Sequence, residues 1–508
     1  MNSPSEYAFR LDGEAATNAL AQRISLWARP GLLIALHGDV GAGKSTFARA
    51  FIRALFKPGF DSDVPSPTFS LIQTYDETRI SVFHADLYRV KSDDEISEFG
   101  LEDLLQTSCG LIEWPERLPA PLTEDMLHVR LSGTGNSRSV KVRPEGRWVP
   151  ALARDEAIMA FLMSHGADPA TRQFFEGDAS SRRYETVMHK GQRVILMDMP
   201  QRPDGPPVKH GKPYSQIAHL AEGITAVVAI NNYLVKLGYS APKTLAFDLG
   251  AGLALIEPLG DRVYGRMMLA GEDMRVPLCE AAGLLADMAL REWPPRPEAR
   301  PGVAHELKPY DEDALLIEVD LLPSWFYRHI HGRHAPQSLN ESFEQVWRKI
   351  IPLVATAKPQ WVLRDFHSPN LLWMPERDGS RRVGLIDTQD AVLGHPGYDL
   401  VSMAQDARVD VSPELEKLVV DHYCALRHRQ GAFDEAAFRA AYAVLGAQRA
   451  TKILGIFARL NMRDGKPAYL KHMPRVSRYL ARNVEHPQLK PLKDWYLQNI
   501  PEALMVKP

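Results

Sequence analysis

Gly38-Asp39-Val40-Gly41-Ala42-Gly43-Lys44-Ser45-Thr46 fits the pattern G-x-x-x-x-G-K-[ST] and decides how the surrounding chain is read. Before it, the apolar run Leu32-Leu33-Ile34-Ala35-Leu36 reads as a buried strand. After it, Phe47-Ala48-Arg49-Ala50-Phe51-Ile52-Arg53-Ala54-Leu55 reads as a helix. Strand, glycine-rich turn and helix in that order predict an α/β P-loop domain. Gly38, Gly41 and Gly43, with Ala42 and Thr46 among them, let backbone N–H groups close around phosphates at the positive end of the helix. In that setting Lys44 reaches the β- and γ-phosphates of a nucleoside triphosphate, and the Ser45 hydroxyl is a magnesium ligand.

Working outward, a chain of 508 residues is too long for one core; about two or three domains are expected. The composition is ordinary for a globular protein, 45% hydrophobic and 24% charged. A net charge of −3 gives no global electrostatic case for nucleic-acid or membrane binding. The three cysteines, Cys109, Cys279 and Cys424, are far apart and form neither a metal-ligand pair nor a disulfide framework. The first residues, Met1-Asn2-Ser3-Pro4-Ser5-Glu6, do not have the pattern of a signal peptide. No stretch approaches the roughly 18–20 apolar residues of a membrane span. A cytoplasmic protein without membrane contact is expected.

Strand-like and helical segments mix up to Val140-Lys141-Val142, which follows the strand-like Leu127-His128-Val129-Arg130-Leu131. Pro144–Pro150 reads as a linker, and Asp155–Leu162 opens a helical pattern. The boundary is therefore drawn between residues 1–148 and 149–508. The second region starts with short β-like pieces, Tyr184–Met188 and Val194–Met197, and turns mostly helical after about residue 265. Pro200–Pro213, with several Pro and Gly residues, reads as a mobile loop.

Within residues 1–148, Ser66-Pro67-Thr68-Phe69 lies downstream of the P-loop helix, where an NTPase can place a hydroxyl near the γ-phosphate; taken alone, the motif reads as an ordinary Pro turn before a strand. His84-Ala85-Asp86-Leu87-Tyr88-Arg89 ends an apolar strand with Asp86 at its carboxyl tip. Leu111-Ile112-Glu113-Trp114-Pro115-Glu116 ends another with Glu113. Two strand-end acids beside a P-loop favour a metal site. Together the motifs G-D-x-G-A-G-K-[ST]-T, S-P-T-[FY], H-x-D-L-Y-R and E-W-P-E, matched in order over about residues 5–145, resemble the TsaE family. That family supplies the ATPase of bacterial threonylcarbamoyl-adenosine tRNA modification. The resemblance implies ATP and Mg²⁺ as cofactors, Glu113 as a metal-site carboxylate, Asp86 as needed for hydrolysis, Thr68 as a switch-like residue and Trp114 as a structural or partner-facing aromatic. It also implies binding to two related partner proteins, TsaB-like and TsaD-like, with tRNA met only indirectly.

In residues 149–508, Val362-Leu363-Arg364-Asp365-Phe366-His367-Ser368-Pro369-Asn370 contains D-x-x-x-x-N, and Val383-Gly384-Leu385-Ile386-Asp387 is a strand ending in an acid. In kinase-like chemistry the first Asp accepts the substrate hydroxyl proton, while the Asn and the later Asp hold magnesium against the phosphates. Upstream, Gly177-Asp178-Ala179-Ser180-Ser181-Arg182-Arg183-Tyr184 precedes a strand, as a nucleotide-covering loop does; without the downstream motifs it reads as a polar hairpin turn. With Leu196-Met197-Asp198, Glu257-Pro258-Leu259-Gly260-Asp261, Asp387-Thr388-Gln389-Asp390-Ala391 and Tyr398-Asp399-Leu400, these motifs resemble the aminoglycoside phosphotransferase family of protein-kinase-like, two-lobed α+β folds. Within it they are most similar to the amino-sugar kinases called AmgK, over about residues 150–500. The resemblance implies transfer to the anomeric hydroxyl of N-acetylmuramate or N-acetylglucosamine. By it Asp365 is the catalytic base, Asn370 and Asp387 are magnesium ligands, and Ser180, Ser181 and Arg183 meet the nucleotide. Asp399 braces the catalytic loop.

Two departures stand out. Leu363 occupies the position of the usual His before R-D, and the strand Val194–Met197 carries no Lys for the phosphates, a gap that Arg182 or Arg183 would fill. Three readings stay open at this stage. One is a fusion of the two enzymes; a second makes the latter half a pseudokinase scaffold. The third is a kinase for another alcohol, such as an aminoglycoside.

Overall fold

The run before the phosphate loop becomes the middle strand of a seven-stranded sheet. Its members are β1 (Tyr7–Asp12), β2 (Leu33–His37), β3 (Ile72–Tyr75), β4 (Val82–Asp86), β5 (Cys109–Glu113), β6 (Met126–Ser132) and β7 (Ser137–Pro144), in spatial order β1-β7-β6-β2-β5-β4-β3. This computed structural model describes residues 6–57, 63–133, 137–175, 182–201, 203–355 and 358–505. The chain divides into two compact units, Met1–Leu196 and Met197–Pro508.

In the first unit β2 lies parallel to both β5 and β6, and β4 is parallel to β5. β3, β7 and β1 add antiparallel pairings at the flanks. Parallel strands covered on both faces need continuous apolar sequence, and Leu33, Ile34, Ala35 and Leu36 are all fully buried. The helices α1 (Glu14–Ser25), α2 (Lys44–Arg53), α3 (Asp93–Glu98) and α4 (Leu101–Thr107) accompany the sheet. α2 buries Phe47, Ala48, Phe51 and Ile52, one stripe of an amphipathic helix.

The stretch read from sequence as a linker is instead a packed junction. β7 runs to Pro144 and α5 (Trp148–Ser164) begins at Trp148, seven residues earlier than the pattern starting at Asp155 predicts. The Trp148 indole is fully buried and its Nε1–H donates to the Leu33 carbonyl at 3.2 Å. Asp125 accepts from the Arg147 backbone N–H and from its Nε, both at 2.7 Å. Pro150 is tolerated because the first turn of a helix has no use for its missing N–H. β8 (Ala167–Phe175), β9 (Arg183–His189) and β10 (Gln192–Asp198) follow, β8 and β9 pairing antiparallel with Phe175 opposite Tyr184.

The second unit is mostly helical, as its sequence predicts. Helices Ile224–Lys236, Arg275–Met288, Gln337–Ile350, Pro413–Gln430, Glu435–Met462 and Met473–Asn483 surround one large core that includes Leu284, Leu322, Trp347, Leu400, Leu454 and Leu480. The 28-residue helix Glu435–Met462 starts where the Asp434 carboxylate accepts the Ala437 N–H at 2.9 Å. Small antiparallel pairs, Leu371–Trp373 with Val383–Leu385 and Gln360–Val362 with Val392–Gly394, frame the loops of interest. The segment read as a loop at Pro200–Pro213 carries a short ribbon, Pro207–Lys209 against Lys212–Pro213, with Lys209 on Glu344 at 3.1 Å. Among the described residues no helix is long and apolar enough to cross a membrane.

Candidate active sites

The first site forms at the carboxyl ends of β2, β4 and β5. Gly38, Gly41 and Gly43 have φ of 138°, 80° and 104°, conformations that side chains rarely adopt. At Gly38 a Cβ would also stand 2.3 Å from the Leu131 carbonyl oxygen. Gly38→Ala is therefore expected to cost at least about 2 kcal/mol of stability and most of the nucleotide affinity of this site, checked by thermal unfolding and titration with a fluorescent nucleotide. Arg138 braces the loop from β7, its Nε donating to Ala42 O at 3.0 Å.

Parallel pairing of β4 with β5 sets Asp86 directly beside Glu113 in register. Both carboxylates are buried, at 5% and 2% exposure, so each must be held by polar partners. Glu113 accepts from the Ser45 hydroxyl at 3.1 Å and meets His84 Nε2 at 3.0 Å. Asp86 accepts from the Thr68 hydroxyl at 3.2 Å and from the Tyr88 N–H at 3.1 Å. Lys44 Nζ donates to the carbonyls of Gly38 and Asp39 at 2.7 and 3.0 Å and lies 4.0 Å from the centre of the Trp114 ring. Burial lowers the Lys44 pKa, opposed by Glu113 and Asp86. Lys44, Ser45, Thr68, Asp86, Glu113 and Trp114 thus join one continuous cluster. A hydroxyl beside a carboxylate is an oxygen donor set that suits Mg²⁺, which takes few protein ligands and completes its shell with phosphate and water.

The second site lies in the second unit on the loop after Gln360–Val362. Asp399 accepts the backbone N–H of Leu363 at 2.7 Å and of Arg364 at 2.9 Å. With both oxygens occupied by the loop, Asp399 acts as a brace. Arg364 has φ of 66° and Asp387 of 62°, and such left-handed backbone at non-glycine residues marks a site whose shape is enforced by its surroundings. Arg364 is locked by Glu318 and by the Ala218 carbonyl, the latter at 2.8 Å. Glu318 also takes Lys452 at 2.8 Å and Gln448 at 2.9 Å. Burial raises the Glu318 pKa, but Lys452 and Arg364 outweigh it and hold the carboxyl at about 2.

On this frame Asn370 Nδ2 donates to the Asp365 carbonyl at 3.1 Å and to Asp387 Oδ2 at 3.4 Å. The Asp365 side chain keeps 38% exposure and stands 3.6 Å from His367 Nε2. Enclosure by the protein raises its pKa, and His367, Lys452 and Arg449 bring it well below the ordinary carboxylate range. Asp365 is therefore an ionised acceptor at neutral pH. The Asn370 amide and the Asp387 carboxylate, side by side, again form an oxygen set that suits Mg²⁺. Among the described residues no group of three His, Cys, Asp or Glu gathers as a self-sufficient metal cage.

Ser180 and Ser181 lie outside the described residues. Arg183 pairs with Glu185 at 2.6 Å, and its guanidinium carbon lies 3.6 Å from the Trp27 ring centre. The roles of Glu318, Arg138, Arg408 and Asp406 were not drawn from the sequence. Arg408 meets His367 Nδ1 at 3.2 Å, and Asp406 accepts the Ser368 N–H at 2.7 Å. His84 was legible only as the first letter of H-x-D.

Comparison with known proteins gives two matches along the chain. Residues 11–140 match "Threonylcarbamoyl adenosine biosynthesis protein TsaE", and residues 171–440 match "Phosphotransferase enzyme family". An N-acetylmuramate/N-acetylglucosamine kinase of Caulobacter vibrioides is 40% identical over 359 residues, covering 68% of this chain and 97% of that protein. A kinase of the same name from Neisseria meningitidis is 30% identical, covering 63% and 87%. A tRNA threonylcarbamoyladenosine biosynthesis protein TsaE of Rickettsia conorii is 38% identical over 128 residues, covering 25% of this chain and 72% of that protein.

Proposed function

Because its first part belongs to the TsaE family and its second to the phosphotransferase enzyme family, we propose that this fused, ATP-using enzyme carries two separate nucleotide sites whose functions change over at residues 148/149. The first half serves the tRNA threonylcarbamoyladenosine pathway. It acts with two partner proteins of the TsaB and TsaD kind and reaches tRNA only through them. The second half is a kinase for the anomeric hydroxyl of N-acetylmuramate or N-acetylglucosamine. Both sites use Mg²⁺, with Ser45 and Glu113 as ligands in one and Asn370 and Asp387 in the other.

The observation that carries the kinase reading is the grouping of Asp365, Asn370 and Asp387 around one braced loop. Asp365 takes the proton of the sugar hydroxyl as that oxygen forms its bond to the γ-phosphorus. The bond from the γ-phosphorus to the bridging oxygen breaks, and ADP leaves with the electron pair. Mg²⁺ supplies neutralisation of the phosphate charge when bound. The test is a transfer assay with the full chain, ATP and a panel of amino sugars, aminoglycosides and small alcohols. Transfer to the amino sugars supports the proposal. ATP binding without transfer to any acceptor turns the second half into a scaffold.

For the first half, growth of cells depleted of their own TsaE is the matching test. Asp86→Ala and Glu113→Ala are expected to lower ATP hydrolysis by at least about tenfold while nucleotide affinity changes less. Backbone amides and Lys44 supply most of the phosphate contact, so binding survives the loss of either acid. Parallel measurement of hydrolysis and nucleotide Kd checks this.

A further inference from the structure

Within the second unit, the loop that carries Asp365 is held from one short element, the helix Gly397–Ala404 and the turn that follows it. Asp399 takes the amides of Leu363 and Arg364, and three residues on, the buried Ser402 hydroxyl donates to the Arg364 carbonyl at 3.3 Å. Past the end of the helix, Asp406 accepts the Ser368 N–H with one oxygen and the Arg408 N–H with the other, both at 2.7 Å. The Val409 N–H joins the second oxygen at 3.3 Å. Asp406, itself buried, therefore fastens the turn at Arg408 to the far end of the catalytic loop. Arg475 on the helix Met473–Asn483 anchors the same turn, reaching the Ala407 carbonyl at 3.0 Å and Asp410 at 2.7 Å.

So placed, Arg408 meets the buried His367 ring, its Nη1 standing 3.2 Å from Nδ1 and 3.4 Å from Nε2. His367 Nε2 in turn stands 3.6 Å from Asp365 Oδ1. A guanidinium can only donate, so the ring nitrogen it bonds has to be bare. Were Nε2 the bare one, its lone pair would face the Asp365 carboxylate, acceptor against acceptor. A doubly protonated ring would set its positive charge against the guanidinium. One arrangement satisfies all three groups: Arg408 bonds Nδ1, the nearer nitrogen, and the hydrogen sits on Nε2 toward Asp365. The bond made at one imidazole nitrogen thus decides which form the other presents. Burial raises the Asp365 pKa, and His367 is foremost among the groups that bring it down.

We propose that Arg408 is a positioning residue for phosphoryl transfer, fixing the His367 tautomer whose Nε2–H aims the Asp365 carboxylate. This rests on the kinase reading above. His367 keeps its proton throughout: its N–H engages Oδ1 and leaves the other oxygen for the acceptor hydroxyl. A carboxylate held this way gives up some basicity and gains a fixed direction, and the proposal requires that direction matter more to the rate.

The test uses the full chain with Arg408→Met, His367→Leu, His367→Gln and the double variant His367→Leu/Arg408→Met. Met keeps the length of the arginine stem without a donor; Gln keeps an N–H near the place of Nε2, and Leu keeps none. Sugar-kinase kcat and both KM values are measured beside the thermal midpoint. Arg408→Met is expected to lower kcat at least about fivefold with both KM values within about twofold. In the His367→Leu background the same change is expected to cost less than about twofold, because Arg408 acts through the ring. His367→Gln is expected to keep at least about threefold more kcat than His367→Leu. Nitrogen NMR of the imidazole rings at neutral pH, with His367→Gln assigning the signal, is expected to show Nε2–H and a bare Nδ1 in wild type. Arg408→Met is expected to shift that ring toward the other tautomer. Wild-type kcat in folded Arg408→Met overturns the proposal, as does an equally large effect in the His367→Leu background. Equal losses of kcat, both KM values and thermal midpoint overturn it too, as does an Nδ1–H or doubly protonated ring in wild type. If Arg408→Met does not fold, the wild-type ring and the two His367 variants decide, and equal kcat for Gln and Leu overturns it. Wild-type protein without any transfer activity refutes the kinase reading instead, a result distinct from an active wild type with indifferent variants.

Discussion

Asp365→Asn is expected to lower the phosphotransfer rate of the second site by about 10²–10⁴-fold, the range for loss of a general base. ATP affinity is expected to stay within about threefold, since the role proposed for Asp365 is toward the acceptor hydroxyl and not the nucleotide. The substitution separates chemistry from folding unusually well here. The loop is held by Asp399 through the amides of Leu363 and Arg364, and Asn370 bonds the Asp365 backbone carbonyl. None of these bonds uses the Asp365 carboxylate. Asp387→Asn is expected to differ in kind, because it removes charge from the proposed metal position, so that ATP affinity falls together with rate. Single-turnover kinetics beside a nucleotide titration resolve the two patterns. A full-rate Asp365→Asn enzyme removes Asp365 from the role of base.

Lys44→Ala is expected to abolish ATP turnover by the first site while leaving kinase kcat/KM within about twofold of wild type. Lys44 is held inside the loop Gly38–Gly43, donating to the carbonyls of Gly38 and Asp39 at 2.7 and 3.0 Å. The loop conformation itself rests on glycine backbone and on Arg138, which remain. Asp365, Asn370 and Asp387 share no residue with this cluster and lie in the other compact unit. Loss of both activities from this single change in a folded protein contradicts two separable sites. Measuring hydrolysis and sugar phosphorylation on one preparation checks the point.

Both sites were legible to the extent that their chemistry sits in short motifs. The strand, loop and helix around Lys44 appear where the apolar run and glycine spacing predict them, because parallel strands and phosphate loops constrain neighbouring residues tightly. The strand ends at Asp86 and Glu113 were legible too, but their side-by-side register needs the sheet order, which no local pattern contains. Pro144–Pro150 shows the opposite outcome. Its Pro and Gly content reads as slack chain, whereas Trp148 is buried by a strand more than a hundred residues earlier in the sequence. Likewise Glu318, Gln448 and Lys452 converge on the catalytic loop from distant helices, and nothing in their own neighbourhoods announces it. Arg183 was legible as a basic residue after a polar loop, while its contact with Trp27 joins residues far apart in the sequence. Long-range burial, which sets these positions, leaves little trace in local sequence.

The measurement that bears most directly on the account is phosphorus NMR of the product formed by the full chain from ATP, Mg²⁺ and N-acetylmuramate, run in parallel on Lys44→Ala and Asp365→Asn. The account predicts a sugar 1-phosphate with wild type and Lys44→Ala, and its loss with Asp365→Asn. No phosphate ester from wild type, or an equal yield from Asp365→Asn, would contradict it.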